Sequence, residues 1–443
     1  MHTHKARRPV ALAAGVAALA LALTACSGSD KPSGSSSDTG SGSGGEKITL
    51  TIQTFNEFGY ADLYKQYMDE HPNIVIKENK AATSEEAKTN VTTKIAASSG
   101  LDDIVAADGD WMPELVQYPD KFVDMASDDV TGRWPDWKVA AATSADGKFI
   151  GYGTDSGPEA ICYRQDLFEK AGLPTDRDQV AELLGGADAT WDDYFNVGKQ
   201  FMEKAPKGTA WFDSATATFQ GMVNQIPNAY EESDGTPRAS LDDDTEVKAM
   251  YDQLLTATVD GNLSAHLGQW DTPWTSAFQN GAFATMLCPA WMTTIIEGAA
   301  EGVDGWNIAD VFPGGGGNWG GSYLLVPTQS KHQEEAKALA DWLTAPEQAA
   351  KVFTSVGNFP SQVAAQKDPA VTSKTNPFFN DAPTGQIFSD RAAAVTVTPF
   401  KGPHYFVIHK TVQDALNKVD IDQSATPEEA WEGAKSDFAS LGL

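Results

Sequence analysis

The sequence has 443 residues and a formal net charge of −29, with 61 acidic and 32 basic residues. This excess of acid argues against nucleic acid as a partner, because phosphates are bound by Lys and Arg. It also disfavours electrostatic docking on an anionic lipid surface. The length and a hydrophobic fraction of 41% predict two domains or one large domain with a sizeable core.

The N-terminus carries an export pattern. Lys5, Arg7 and Arg8 precede an uncharged apolar run that ends at Leu23-Thr24-Ala25-Cys26, and the run is too short to span a membrane. Because a cysteine stands at the cut and a Ser/Gly-rich segment follows, the pattern resembles a lipoprotein signal with Cys26 as the lipidated residue. The alternative is an ordinary secretory peptide. We predict a signal peptide over residues 1–25, a flexible tether over 26–46, and a lipid-anchored protein on the extracellular face of the cytoplasmic membrane.

The first third of the folded part alternates strands and helices. Residues 47–52 alternate and are rich in β-branched side chains, and residues 74–76 are all β-branched, so both stretches predict strands. An i, i+3, i+4 pattern over 60–68 predicts a helix between them. A capping box at 83–86 begins a second helix, and residues 104–107 form a third predicted strand. This order predicts a parallel α/β sheet with right-handed crossovers.

Further strands and helices are predicted along the rest of the chain. The predicted strands lie near residues 282–288 and 323–326, and the predicted helices include 242–255, 334–344, 346–356 and one that begins at 426. Asp242, Asp243 and Asp244 lack the glycine and downstream glutamate of a calcium loop. We therefore interpret them as the solvated start of a helix.

No motif for catalysis, phosphate binding or metal binding is present. The sequence contains no H-E-x-x-H, G-x-S-x-G or G-x-x-x-x-G-K-[ST] pattern, so we expect no enzyme activity, cofactor or metal. A glycoside hydrolase needs only two suitably spaced carboxylates, and that alternative stays open. Cys162 and Cys288 are expected either to form a disulfide or to be two buried thiols.

Several stretches, weak singly, together resemble a known family. They are residues 67–72, residues 94–100 followed by 103–105, residues 162–174, residues 278–286 leading to Trp291, and residues 320–323 followed by 334–346. In this order they resemble the extracellular solute-binding proteins of ABC sugar importers, the group that includes maltodextrin-binding protein. The resemblance implies an α/β, two-lobed periplasmic-binding-protein fold (type II-like) with a ligand cleft between lobes joined by a multi-crossing hinge.

The resemblance also suggests how the chain is divided. We expect residues 47–154 plus 307–366 in the first lobe and residues 155–306 plus 367–443 in the second. The chain is expected to cross between the lobes near residues 153–157, 305–317 and 362–369, where Gly, Pro and polar residues cluster.

The function implied by the resemblance is capture of an oligosaccharide for an ABC permease, by a monomer without a cofactor. The Ala-rich body and the tether are typical of a high-GC Gram-positive actinobacterium, where such receptors commonly serve cellobiose, xylobiose, chitobiose or maltose. Cellobiose, or another β-linked disaccharide or trisaccharide, is the first expectation. A receptor for another solute, such as a polyol or glycerol phosphate, is the alternative, although phosphate favours clustered Arg and Lys.

Candidate ligand-binding residues follow from the chemistry of a sugar, whose ring faces stack on aromatic side chains and whose hydroxyls bond to carboxylates and amides. Trp291 matches a tryptophan that commonly stacks on sugar in the resembled family. The other candidates are Trp111 and Asp108 after a predicted strand, Trp319 and Ser322 on a Gly-rich loop, Asp155 and Glu159 at a crossing, Asn56 and Glu57 after the first strand, Trp270 and Trp274 around a Thr-Pro turn (one of them expected in the core), and Tyr405, where maltodextrin-binding relatives carry an aromatic.

Overall fold

The computed structural model describes residues 47–443. The predicted signal peptide, the tether and Cys26 lie outside these residues. No helix between residues 47 and 443 is long and apolar enough to cross a membrane.

The described part of the chain is a mixed α/β structure. Its strands are β1 (Ile48–Phe55), β2 (Ile74–Ala81), β3 (Ile104–Asp108), β4 (Tyr152–Gly153), β5 (Asp155–Ser156), β6 (Glu159–Arg164), β7 (Thr285–Pro289), β8 (Trp306–Ala309), β9 (Ser322–Leu325) and β10 (Phe359–Pro360). Its α-helices are α1 (Ala61–Glu70), α2 (Ser84–Ala96), α3 (Met112–Leu115), α4 (Asp136–Ala141), α5 (Gln165–Ala171), α6 (Arg177–Leu183), α7 (Trp191–Met202), α8 (Ala215–Val223), α9 (Thr245–Leu255), α10 (Thr272–Asn280), α11 (Met292–Ala299), α12 (Gln333–Leu343), α13 (Pro346–Val356), α14 (Pro369–Thr372), α15 (Thr384–Ala394), α16 (Tyr405–Asp420) and α17 (Pro427–Ser440).

The first sheet has five strands in the order β2-β1-β3-β9-β4. Strands β1, β2 and β3 are parallel, as their alternation with α1 and α2 predicts. The sheet as a whole is mixed rather than parallel, because β9 returns from much later in the chain and runs antiparallel to β3 and β4. The apolar side chains of this sheet, α1, α2 and α12 form one buried cluster.

The second sheet has three antiparallel strands in the order β7-β6-β8. Cys162 on β6 and Cys288 on β7 form a disulfide across neighbouring strands, with Cα atoms 5.4 Å apart, which decides between the two alternatives for these cysteines. One apolar cluster packs helices α5, α7, α8, α9, α16 and α17 against this sheet. A second packs α10, α11 and α15 against it.

Two segments connect the two sheets, and a third leads from a helix packed on the first sheet, α12, to a helix packed on the second, α15. The first runs from β4 through β5 to β6, and the second leads from β8 to β9. The third contains β10, which pairs antiparallel with β5. Gln362, fully buried beyond β10, donates to the main-chain oxygen of Gly153 at 2.9 Å, so the first and third segments are bonded together.

The bounds of the lobes stay a prediction, with one correction. The predicted first lobe begins its second part at residue 307, yet β8, from Trp306 to Ala309, pairs with β6 in the second sheet. The change of sheet therefore falls after residue 309. The polar, Gly-rich stretch at 314–317 is the feature that marks it in the sequence.

The aspartates at 242–244 directly precede α9, which begins at residue 245 rather than 242. The prediction of a solvated helix start is wrong for Asp244, whose side chain is buried. Asp244 is the residue before α9, and its side chain accepts from the main-chain nitrogen of Val247 at 3.3 Å. Burial raises the pKa of Asp244 to about 7. Between residues 47 and 443, no group of three or more His, Cys, Asp or Glu side chains is arranged to hold a metal ion.

Candidate functional site

A cleft of about 860 Å³ opens where the carboxyl ends of β1, β3 and β7 meet. In open α/β sheets ligands bind at this end of the strands, and the volume is within the range of small-molecule sites. Helices α2 and α8 both begin at the cleft. Their preceding residues, Thr83 and Ser214, line it and cap the helices by accepting from the main-chain nitrogens of Glu86 and Ala217.

Three tryptophans form an aromatic cluster in the cleft. The rings of Trp270 and Trp291 are nearly parallel, at an angle of 21° with centroids 6.1 Å apart. Trp319 meets Trp291 edge-on at 5.5 Å, and its main-chain oxygen accepts from Trp291 Nε1 at 3.0 Å. Because Trp270 is 41% exposed, the cluster presents an apolar ring face to whatever enters the cleft.

The first segment between the sheets contacts this cluster at Gly157. An ideal Cβ on Gly157 would lie 1.9 Å from the main-chain oxygen of Trp319 and 2.9 Å from Trp291 Nε1. The main-chain oxygen of Gly157 accepts from the nitrogen of Trp319 at 2.8 Å. This close approach of two backbones is possible only for glycine. It fixes the positions of Trp319 and Trp291 relative to the first segment.

Carboxylates surround the aromatic cluster. Asp108 and Asp110 lie at the end of β3 and just beyond it, and Asp155 lies on β5. Burial and the neighbouring charge of Asp110 raise the pKa of Asp108 to about 7. Asp155 accepts from the main-chain nitrogen of Ser322 at 2.9 Å, so it joins the first and second connecting segments while lining the cleft.

The two lysines that line the cleft are both paired. Lys410 Nζ lies 2.8 Å from Asp414, and Lys418 Nζ lies 3.7 Å from Asp437. Both aspartates also line the cleft. The polar side chains of the cleft are therefore better suited to hydroxyl groups than to a phosphate or a carboxylate.

Contacts also cross the cleft between groups that follow different sheets. Asp110, beyond β3, forms an ion pair with Lys401 and accepts from Gln220 Nε2 of α8 at 3.3 Å. Gln220 Oε1 in turn accepts from His409 Nε2 of α16 at 2.7 Å. Burial lowers the pKa of His409 to about 4, so this imidazole is neutral at physiological pH.

Eight predicted site residues line the cleft: Asn56, Glu57, Asp108, Asp155, Trp270, Trp291, Trp319 and Ser322. Their direct contact with a ligand stays a prediction. What the structure adds is that they come from six separate parts of the chain, namely β3, β5, β9 and the segments around β1, β7 and α10, and meet in one place.

Four predicted residues are not in the lining. Trp111 is buried, and its indole donates to Ser84 Oγ at 2.9 Å. Because Ser84 lines the cleft, Trp111 positions a lining residue without contacting the cleft itself. Trp274 is buried against Phe278, with an interplanar angle of 87°. Of the tryptophans around the Thr-Pro turn, Trp270 thus lines the cleft and Trp274 lies in the core, with ring centroids 5.4 Å apart.

Glu159 and Tyr405 are the other two. Glu159 starts β6, a central strand, and its fully buried carboxyl points into the body of the protein, where burial raises its pKa well above the usual value. Tyr405 begins α16 and packs its ring against Tyr230 and His409, each with centroids 5.4 Å apart. Glu159 was predicted from its place at a crossing and Tyr405 from the family resemblance, and neither ground determines the direction of a side chain.

Sequence reasoning missed the helical side of the cleft. Residues Thr216, Gln220, Phe406, His409, Lys410 and Gln413 line it from α8 and α16. Ser214 before an apolar run is a signal for α8, because it is a typical helix start. No comparable signal marks α16, since Phe406 and His409 fit an amphipathic helix equally well.

The fold and the cleft define the class of protein, which is a two-lobed binding protein with its ligand site between two α/β units. The family of bacterial extracellular solute-binding proteins matches residues 62–380. Because this is well over half of the chain, the protein belongs to that family.

Individual relatives agree with this assignment. A crystal structure of an extracellular solute-binding protein of family 1 is 48% identical, with a TM-score of 0.77, and the match covers 88% of this chain and 99% of that one. The arabinooligosaccharide-binding protein of Bacillus subtilis (strain 168) is 26% identical over 344 residues, which are 70% of this chain and 72% of the relative.

A more distant structure shares the fold. The ABC-transporter-associated binding protein of B. animalis subsp. lactis Bl-04, solved in complex with beta-1,6-galactobiose, is 18% identical with a TM-score of 0.74, and the match covers 89% of this chain and 97% of that one. These relatives are binding proteins rather than enzymes.

Proposed function

We propose that this protein is the membrane-anchored receptor of an ABC importer and captures a neutral oligosaccharide in the cleft. The observation that carries the proposal is the nearly parallel pair of exposed Trp270 and partly buried Trp291, in one cleft with the carboxylates of Asp108 and Asp155. Ring faces suit the C–H faces of a sugar, and carboxylates accept strongly from its hydroxyls. The arabinooligosaccharide-binding relative and the galactobiose complex support the same ligand class.

The size of the cleft supports a disaccharide or trisaccharide. Three tryptophans in contact provide more ring surface than one sugar unit covers, and the lining extends from Asn56 on one side to Asp422 on the other. We propose a β-linked disaccharide or trisaccharide, with cellobiose as the first ligand to test. Arabinobiose and β-1,6-galactobiose belong in the same panel, because one relative is an arabinooligosaccharide-binding protein and another was solved with beta-1,6-galactobiose bound.

Titration calorimetry of the mature protein tests this proposal. The panel contains cellobiose, cellotriose, arabinobiose, β-1,6-galactobiose, glycerol 3-phosphate and sorbitol. We expect saturable binding of at least one oligosaccharide and no binding of glycerol 3-phosphate. Binding only of glycerol 3-phosphate or sorbitol would support the other solute class, and cleavage of an aryl glycoside in a parallel assay would support a hydrolase.

The proposed anchor is Cys26, which lies outside the described residues. A lipid on Cys26 would keep the receptor near its permease. We expect Cys26→Ser to release the protein into the medium and to lower uptake of the ligand, measured by immunoblotting of cell and medium fractions and by radiolabelled sugar uptake. Unchanged retention and uptake would contradict the anchor.

A further inference from the structure

The exposed ring of Trp270 sits on a loop with an unusual backbone. Trp270 has φ +75°, in the left-handed region that bulky side chains rarely adopt. The residues around it, Gly268 to Asp271, line the cleft. Something outside the loop must hold this conformation, because the local backbone preference opposes it.

The contacts of Asp213 identify what holds it. Asp213 is 1% exposed and lies directly before Ser214, the residue that caps α8, behind the cleft lining. Its Oδ2 accepts from Gln269 Nε2 at 2.9 Å and from Trp274 Nε1 at 2.9 Å. Its main-chain oxygen accepts from the nitrogen of Leu267 at 3.1 Å. Three bonds from one residue therefore reach positions on both sides of Trp270.

The other carboxylate oxygen fixes Asp213 itself. Oδ1 accepts from the main-chain nitrogen of Ser214 at 2.9 Å, where α8 begins. The carboxylate thus joins the start of α8 to the loop that carries Trp270. Trp274 continues the contact, since its ring packs against that of Trp270 with centroids 5.4 Å apart.

We propose that Asp213 is the positioning residue of the aromatic cluster: it holds the loop before α10 and the first turn of that helix so that the ring of Trp270 lies nearly parallel to that of Trp291. Asp213 does not line the cleft and acts on a ligand only through Trp270. The proposal extends the proposed function, but the position of Trp270 is measurable without any ligand.

The first test is ¹⁹F NMR of the protein labelled with 5-fluorotryptophan, with the Trp270 and Trp291 resonances assigned from Trp270→Phe and Trp291→Phe. We expect Asp213→Asn to shift or broaden both resonances, because an amide cannot accept from Ser214, Gln269 and Trp274 together. The matched control is Asp242→Asn, which replaces a carboxylate that accepts from the indole of Trp431 over the same length, 2.9 Å, away from the cleft. This control is expected to leave both resonances in place.

A second, more conservative variant keeps the test valid if Asp213→Asn does not fold. Gln269→Met keeps the length of the side chain and removes one of the three bonds, so it should give a smaller shift in the same resonances. The proposal is overturned if Asp213→Asn, or Gln269→Met where the first variant does not fold, leaves both resonances where the wild type has them.

The second test is a double-mutant cycle on affinity for the panel oligosaccharide that binds most tightly. We expect Asp213→Asn to weaken binding about tenfold in the wild-type background and less than about twofold in a Trp270→Ala background, since coupled residues are not additive. Equal losses in both backgrounds would show a general structural effect and contradict the proposal. Absence of saccharide binding by the wild type would instead contradict the proposed function, and the NMR test would still decide the role of Asp213.

Discussion

Single residues set the chemistry of the cleft, and the tryptophans Trp291 and Trp111 show which of their positions could be predicted from the sequence. The family resemblance identified Trp291, through the stretch at residues 278–286 that precedes it, and the structure puts it in the cleft between Trp270 and Trp319. Trp111 follows a strand but is buried. Local sequence determines where a side chain leaves the chain, whereas the direction it takes depends on neighbours such as Ser84 that come from other elements.

Trp291→Ala is expected to weaken oligosaccharide binding by about 1–3 kcal/mol, the range of stacking on an aromatic ring. Calorimetry with the panel saccharide measures the loss. Trp137→Ala is the matched control, because Trp137 is a partly exposed tryptophan outside the cleft lining and its removal should leave affinity unchanged. Equal affinity of Trp291→Ala and wild type would place Trp291 among the structural residues.

Asp108 should make the stability of the unliganded protein depend on pH. Its pKa is raised to about 7 in the folded state by burial and by Asp110, whereas an unfolded Asp has a pKa near 3.9. Ionisation therefore costs more in the folded state, and the loss of stability grows from about pH 4 to pH 7 and is complete above it.

Asp108→Asn removes this cost. The melting temperature of the variant is expected to match wild type near pH 4 and to exceed it at pH 8, as measured by differential scanning calorimetry. A variant that is less stable than wild type at pH 8 would show that the ionised carboxylate is favourable in the fold, which is the opposite sign.

Elements were predicted best where the chain is locally regular. The strands and helices from β1 to β3 follow from alternation, apolar spacing and the capping box, and the structure has them within a few residues. The pairing of β9 between β3 and β4 was not predicted, because those strands are more than 150 residues apart and their apolar pattern contains no information about the partner.

The first connecting segment depends on one glycine. Gly157→Ala would place a methyl group against the backbone of Trp319 and the indole of Trp291, so the segment must move and the aromatic cluster with it. We expect a loss of stability and weaker oligosaccharide binding, measured by urea unfolding and calorimetry. A glycine with free space around it should respond in the opposite direction.

Gly298 provides that comparison. It lies in α11, and an added Cβ meets nothing within 4 Å. Gly298→Ala should stabilise the protein by about 0.5–1 kcal/mol, since alanine is the better helix former, with no change in affinity. If both alanine variants behaved alike, the close contact at Gly157 would not be the cause of the effect.

At the scale of the whole molecule, the two α/β units are joined by three segments and also meet across the cleft. Asp110 pairs with Lys401 and Gln220 on the opposite side, and Lys88 of α2 lies 4.6 Å from the ring of Phe406 on α16. These contacts hold the two sides of the cleft together. The family resemblance implied two lobes and three crossings, but it did not identify which side chains meet between them, because each pair is distant in the sequence.

Lys401→Met removes the central ion pair of this closure and leaves Asp110 without its cation. We expect the unliganded protein to open, with a larger radius of gyration in small-angle X-ray scattering. Lys435→Met is the control, since Lys435 pairs with Asp242 and Glu432 on the side of the second sheet, away from the cleft. An unchanged radius of gyration for Lys401→Met would show that other contacts hold the cleft closed.

The central claim is that an oligosaccharide binds between the two units against the aromatic cluster. The most direct measurement is a crystal structure of the mature protein with the saccharide that calorimetry selects. We expect one sugar ring against the exposed face of the Trp270 and Trp291 pair, with hydroxyls bonded to Asp108 or Asp155. A saccharide bound elsewhere on the protein, or in the cleft without contact to either tryptophan, would contradict the claim.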